Sequence, residues 1–257
     1  DLGAFREQVE AAGGVRAFLF DKLPRYAAAL KEIHHSSVEI GAASADVNRR
    51  LKMLSQLDEW NWAPAALAFL AEHRSQPERA RKFFQALERF AFACEFSVIE
   101  NRVRERRFAD AARFAGDDKQ LYSERVLDLS QAERMRFIQR LNRSAKRDRT
   151  RRLLMIRIEA AMPGGSLLSI YDDVTVEHVL PKNGGQSWNE RFPDKNMREE
   201  AANLIGNLIL ITDKQNKIAE NKPYPVKRQI YFSTQGAPIH ALTRDISPVE
   251  EWSFEAI

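Results

Sequence analysis

The residues best equipped for chemistry lie in one short run, "VTVEHVLPKN" (Val174 to Asn183), where Glu177 stands beside His178 and Pro181 follows closely. Two further side chains belong with them. Asn207 heads the apolar run "NLILI", and Asn216 falls nine residues later, in "TDKQNKIAEN". A hard divalent cation such as Mg²⁺ takes oxygen ligands and keeps several waters, so one carboxylate (Glu177) and one amide oxygen (Asn216) would be enough protein for it. An imidazole that titrates near working pH can deprotonate a water beside such a cation. The cation can in turn stabilise the charge developing on a phosphate. These are the parts of a phosphodiester hydrolysis site. The plainer reading is a structural ion pair at a strand edge.

Such a site needs elements to position it. The β-branched alternation of "DVTVEHVL" predicts a strand, "NLILI" a second one, and "TDKQN" a helix start capped by Thr212 or Asp213. Neighbouring side chains on a regular strand point to opposite faces, so Glu177 and His178 converge only where the strand ends or twists. Pro181 supports an ending, since proline cannot donate to a central ladder. Between the strands, "PKNGGQSWNERFPDKN" reads as a polar loop plugged by Trp188, and a proline-rich tail closes the chain. Asp172 and Asp173 read as turn residues.

Upstream the pattern is helical. Helices are expected over Phe5 to Phe20, Arg25 to Ile40, Asp46 to Leu57 and Ala63 to His73. Pro77 begins another, with Phe83, Leu87, Phe90 and Cys94 on one apolar face. Ser130 and Glu133 form a capping box. A further helix, roughly Arg149 to Met162, stops at "MPGG".

The 257 residues suffice for one large or two modest domains. Hydrophobic residues at 44% and charged residues at 30% fit a soluble globular chain, and the formal charge of +4 leans towards anionic partners. The single cysteine, Cys94, excludes an intramolecular disulfide and a cysteine-cluster zinc site, and reads as core. No signal peptide or membrane-length apolar run occurs, which predicts a cytoplasmic protein with no membrane partner. The chain starts at Asp1 rather than Met, as a fragment of a longer protein would.

Taken together, the acid–His–apolar–apolar–Pro strand, the Asn-headed second strand and the helix-borne Asn resemble the ββα-metal, or HNH, nucleases. The step from Asn207 to Asn216 looks like that in the HNH domain of CRISPR RNA-guided nucleases. More closely, "EHVLPKN…W…ANLIGNLILITDKQNKIAENKPYPVKRQIY" resembles the C-terminal domain of GmrSD-type modification-dependent restriction enzymes, whose relatives include a phosphorothioate-sensing anti-phage protein. The specific match covers about Val174 to Tyr231, with a weaker one at "RRLLMIRIEA". The resemblance implies His178 as general base, Glu177 and Asn216 as ligands of one Mg²⁺ or Mn²⁺, and Asn207 as the brace of the loop holding His178. It departs from the family pattern in one place: many HNH proteins carry Asp before the histidine, and here it is Glu. It further implies DNA as substrate, defence against modified or foreign DNA as the setting, and a preceding nucleotide-hydrolysing and sensing domain as partner.

Phosphate contacts are expected from Lys217, Lys227 and Arg228, which lie close in sequence. Between Arg134 and Arg157 stand ten Lys or Arg residues against one Asp, Asp148, and Arg143, Lys146, Arg147, Arg149, Arg151 and Arg152 are taken as DNA-backbone contacts. A weaker basic run is "NRVRERRF". The expected architecture is mainly α: a helical domain over 1–165, then an HNH-type ββα-metal domain over 166–257. One such site attacks one phosphodiester at a time, so a double-strand break would need a homo-oligomer or repeated nicking. The competing reading is a non-catalytic nucleic-acid-binding or protein-interaction module with a degenerate ββα element.

Overall fold

The computed structural model describes residues 2–96, 99–142, 148–169 and 172–257. It divides into two compact units, Asp1–Arg134 and Met135–Ile257. The first contains α1 (Leu2–Ala11), α2 (Val15–Ala17), α3 (Leu23–His35), α4 (Ser44–Leu54), α5 (Ala63–His73), α6 (Pro77–Glu95), α7 (Asn101–Arg113) and α8 (Asp118–Leu121), and the division falls within α9 (Gln131–Asn142). The single helix expected over Phe5 to Phe20 is broken, because Gly13 and Gly14 take φ values of 89° and 104°. A π-helical turn, Phe18–Lys22, follows. Helix α3 stops short of Ile40 because Ser36 is left-handed, with φ 48°.

Helix α6 supplies the centre of this unit. Phe83, Leu87, Phe90 and Cys94 are all buried on it, and Phe69 of α5 stacks on Phe83 with ring centroids 4.2 Å apart. Burial pushes the Cys94 thiol up to about 12, which leaves it an inert core residue. Arg107 of α7 is also buried, donating to the carbonyls of Val126 at 2.7 Å and Asp128 at 2.5 Å and to Glu133 Oε1 at 2.9 Å. Glu133 closes the expected capping box as well: its carboxylate accepts from Ser130 N at 2.8 Å, and its own N–H donates to Ser130 Oγ at 3.2 Å.

The second unit carries α10 (Asp148–Ala161), β1 (Thr175–His178), α11 (Gln186–Arg191), α12 (Lys195–Ala202), β2 (Leu208–Ile211), α13 (Asp213–Ala219), α14 (Tyr224–Ser233) and α15 (Ala241–Asp245). The strands pair antiparallel, with Glu177 opposite Ile209 and His178 opposite Leu208. The chain is therefore mainly α with a small ββα element. Helix α10 packs against both strands and α15, so it shares the unit of the strands rather than that of the earlier helices. At its end, a Cβ on Gly165 would lie 1.8 Å from the Glu159 carbonyl oxygen, so only glycine fits there. The buried Glu159 carboxylate accepts from the N–H groups of Ala241 and Leu242, each at 2.9 Å, and so caps α15.

Two expectations need correction. The supposed polar loop from Pro181 to Asn196 holds α11, where Trp188 and Phe192, four residues apart, bury one apolar face, and α12 begins at its end. The proline-rich tail likewise folds as α14 and α15, with Pro223 and Pro225 at the start of α14 rather than in its interior. Trp188, Phe192, Ile209, Ile211, Tyr224, Tyr231 and Trp252 belong to one core. Among the described residues, no helix is long and apolar enough to cross a membrane.

Replacing Glu133 by Ala removes the acid from a buried ion pair and opens the capping box. Chemical denaturation followed by circular dichroism should show a loss of about 3–5 kcal/mol, the usual cost of leaving a buried charge uncompensated.

Candidate functional site

Strand β1 is four residues long, and its register fixes where its side chains go. Glu177 is 5% exposed, whereas His178, the last residue of the strand, is half-buried. Both nonetheless line one cleft of about 700 Å³, together with Asn216. His178 is still paired with Leu208 in the ladder, and the chain leaves the strand only after it, towards Pro181.

Asn207 is the last residue of a 3-10 turn, Ile205–Asn207, directly before β2. Its amide is fully used. Oδ1 accepts from Leu180 N at 2.7 Å and Trp252 Nε1 at 3.1 Å, while Nδ2 donates to Leu180 O at 2.8 Å and Ala202 O at 3.0 Å. That is the whole hydrogen-bonding capacity of an asparagine side chain. The backbone adds a bond from Val179 N to Asn207 O at 3.0 Å. The two residues after His178 are therefore both tied to Asn207.

Helix α13, which carries Asn216, starts with a capping box. Gln215 N donates to Thr212 Oγ1 at 3.2 Å, and Thr212 N donates to Gln215 Oε1 at 3.0 Å. Gln215 Nε2 also reaches the carbonyls of Ile230 and Tyr231, at 3.2 and 3.3 Å, near the end of α14. Asn216 Nδ2 lies 3.4 Å from Thr175 Oγ1, a long hydrogen bond that places it on the strand face shared by Thr175 and Glu177. Asp172 accepts locally from Ser169 N at 2.7 Å, whereas Asp173 accepts from Asp213 N at 3.1 Å, forty residues on at the start of α13.

Glu177 has company the sequence reading did not foresee. Its Oε1 accepts from Lys227 Nζ at 2.6 Å and from Tyr231 OH at 2.8 Å. Burial pushes the Glu177 carboxyl up and the Lys227 ammonium down, while their mutual attraction opposes both shifts. Burial, and then the Glu177 charge, drives the Tyr231 hydroxyl up. Lys227 is 0% exposed, so the expectation that it touches nucleic-acid phosphates is corrected. It faces the interior, and the signal for that was its i, i+4 spacing with Tyr231 on one helix face.

The other expected phosphate contacts separate. Arg149, Arg151 and Arg152 line the cleft. Arg149 is exposed, Arg151 is 5% exposed, and Arg152 donates to Asp172 O at 2.9 Å. Lys217 is exposed and paired with Asp213, and Arg228 donates to Ser247 O at 2.7 Å; neither lines the cleft. Arg143, Lys146 and Arg147 lie outside the described residues. Lys182, Asn183, Glu220 and Asn221 also line the cleft. Of these, Lys182 and Asn183 follow Pro181 directly, and Glu220 stands one helical turn beyond Asn216, spacings that could have marked them. Among the described residues, no group of three or more His, Cys, Asp or Glu could hold a metal ion. The side-chain oxygen donors at the cleft are Thr175, Glu177, Asn183, Asn216, Glu220 and Asn221.

Residues 129–257, half of the chain, match the family described as GmrSD restriction endonucleases, C-terminal domain. No curated protein and no solved structure matches the chain.

Asn207→Ala would strand the main-chain groups of Leu180 and the indole N–H of Trp252. Chemical unfolding should register a loss of about 3 kcal/mol or more, because each buried group left unsatisfied costs about 1–3 kcal/mol.

Proposed function

Since the chain belongs to the GmrSD restriction endonuclease C-terminal domain family, we propose that it is a metal-dependent DNA endonuclease or nickase of the HNH type. The observation that carries this reading is that Glu177, His178 and Asn216 line one cleft whose rim holds Arg149, Arg151 and Arg152. An acid, an imidazole and an amide oxygen beside arginines suit a phosphodiester.

His178 acts as the general base, accepting a proton from the attacking water. Asn207 positions it by holding the chain at Val179 and Leu180. The arginines of α10, with Lys182, neutralise the DNA backbone and set its path through the cleft. The donor set suits a hard divalent ion: Glu177 and Asn216 would hold Mg²⁺ or Mn²⁺ through oxygen, and the open cleft leaves room for its waters. Both side-chain hydrogen bonds to Glu177 fall on Oε1. When bound, the ion would stabilise charge on the phosphate and leaving oxygen. The setting is restriction of modified or foreign DNA, with substrate sensing assigned to a separate nucleotide-hydrolysing domain. Lys217 and Arg228, which do not line the cleft, and Arg143, Lys146 and Arg147 are kept as further DNA contacts.

One observation favours a second reading. The Glu177 carboxylate is already balanced by Lys227, which suits a degenerate element in a nucleic-acid-binding module. A single assay separates the two. Purified protein with Mn²⁺ should nick supercoiled plasmid, EDTA should abolish the nicking, and His178→Ala should lower the rate about 10²–10⁴-fold, the range for a lost general base. Unchanged cleavage by His178→Ala would overturn the mechanism. DNA binding without cleavage by either protein would select the binding module.

A further inference from the structure

Lys227 and Tyr231 stand one turn apart on the buried face of α14, fifty and fifty-four residues from the acid they touch. Lys227 makes two contacts that matter. Nζ donates to Glu177 Oε1 at 2.6 Å and, at 2.9 Å, to the main-chain oxygen of His178. One ammonium thus holds the side chain of the acid and the backbone of the imidazole residue. Tyr231 OH adds a second bond to the same carboxylate oxygen at 2.8 Å. The end of α14 also anchors the third residue, because Gln215, the neighbour of Asn216, donates to the carbonyls of Ile230 and Tyr231.

Stability does not account for this arrangement. A fully buried ammonium carries a desolvation cost of several kcal/mol, and an apolar side chain of similar volume in place of such a pair is often neutral or stabilising. The charge is placed on Glu177, which lines the cleft beside His178. We propose that Lys227 and Tyr231 are positioning residues, which together fix the Glu177 carboxylate and the His178 main chain so that acid and imidazole serve one cleft although they are neighbours on a strand. This rests on the metal-dependent reading above. Partners that orient a metal ligand from behind typically contribute about 10–100-fold to metal affinity or activity.

The test uses Mn²⁺ alone as probe, with binding read by isothermal titration calorimetry or electron paramagnetic resonance in the absence of DNA, and plasmid nicking as the second readout. Tyr231→Phe keeps the ring and removes only the hydroxyl; Lys227→Met keeps the length and removes the ammonium. Both should weaken Mn²⁺ binding about 10–100-fold, with nicking partly restored by excess Mn²⁺. Glu177→Gln should lose binding, and His178→Ala should bind like the wild type. If Tyr231→Phe and Lys227→Met bind Mn²⁺ as the wild type does while Glu177→Gln does not, the positioning role is overturned and the nuclease reading stands. Tighter binding by Lys227→Met would also overturn it, making the ammonium a competitor for the carboxylate. A wild type that neither binds Mn²⁺ nor nicks DNA overturns both. Should Lys227→Met fail to fold by circular dichroism, Tyr231→Phe decides the matter alone.

Discussion

A carboxylate withdrawn from water must be compensated, and Glu177 imposes that requirement on the whole second unit. Its compensation comes from α14, a segment far along the chain. The helix must therefore lie with Lys227 and Tyr231 directed at β1. That constraint, more than the two-stranded ladder itself, decides how strand and helix meet. The capping box at Thr212 and Gln215 then orients α13, because the same glutamine that closes the cap reaches the end of α14.

Asn207 solves a different problem. The chain after His178 leaves the sheet, and its backbone groups would otherwise be buried without partners. A single amide with two donors and two acceptor positions satisfies Leu180 on both sides and gathers Ala202 and Trp252 as well. An aspartate of the same shape would offer no donors to the two carbonyls. The site is thus held from two directions, by a charge behind β1 and by a neutral amide beneath the turn that follows it.

Much of this was legible in the sequence, for reasons that differ by residue. The Glu177–His178 pair, the apolar second strand and the cap at Thr212 are local patterns, set by alternation and by residues adjacent in the chain. The stripe on α6 and the Ser130–Glu133 box were visible on the same grounds. Lys227 was misread because a lysine beside an arginine resembles a solvated basic run, and only its distant acid shows otherwise. Helices α11 and α12 were hidden by polar composition, since Trp188 and Phe192 carry the apolar signal of the first and two buried alanines, Ala201 and Ala202, that of the second. The role of α10 was likewise invisible, because its packing against the strands is a tertiary fact. Its arginines could be counted, but which of them reach the cleft depends on where the helix docks.

The ladder between β1 and β2 has four rungs, and an isolated hairpin of that size is marginal in water. The candidate catalytic element therefore borrows its persistence from α10, α14 and α15. In genetic terms, the target for loss-of-function substitutions extends well beyond the residues that face the cleft. An apolar position on the buried face of α10, such as Met155 or Ile156, supports the element that carries His178, though it lies far from it in the chain.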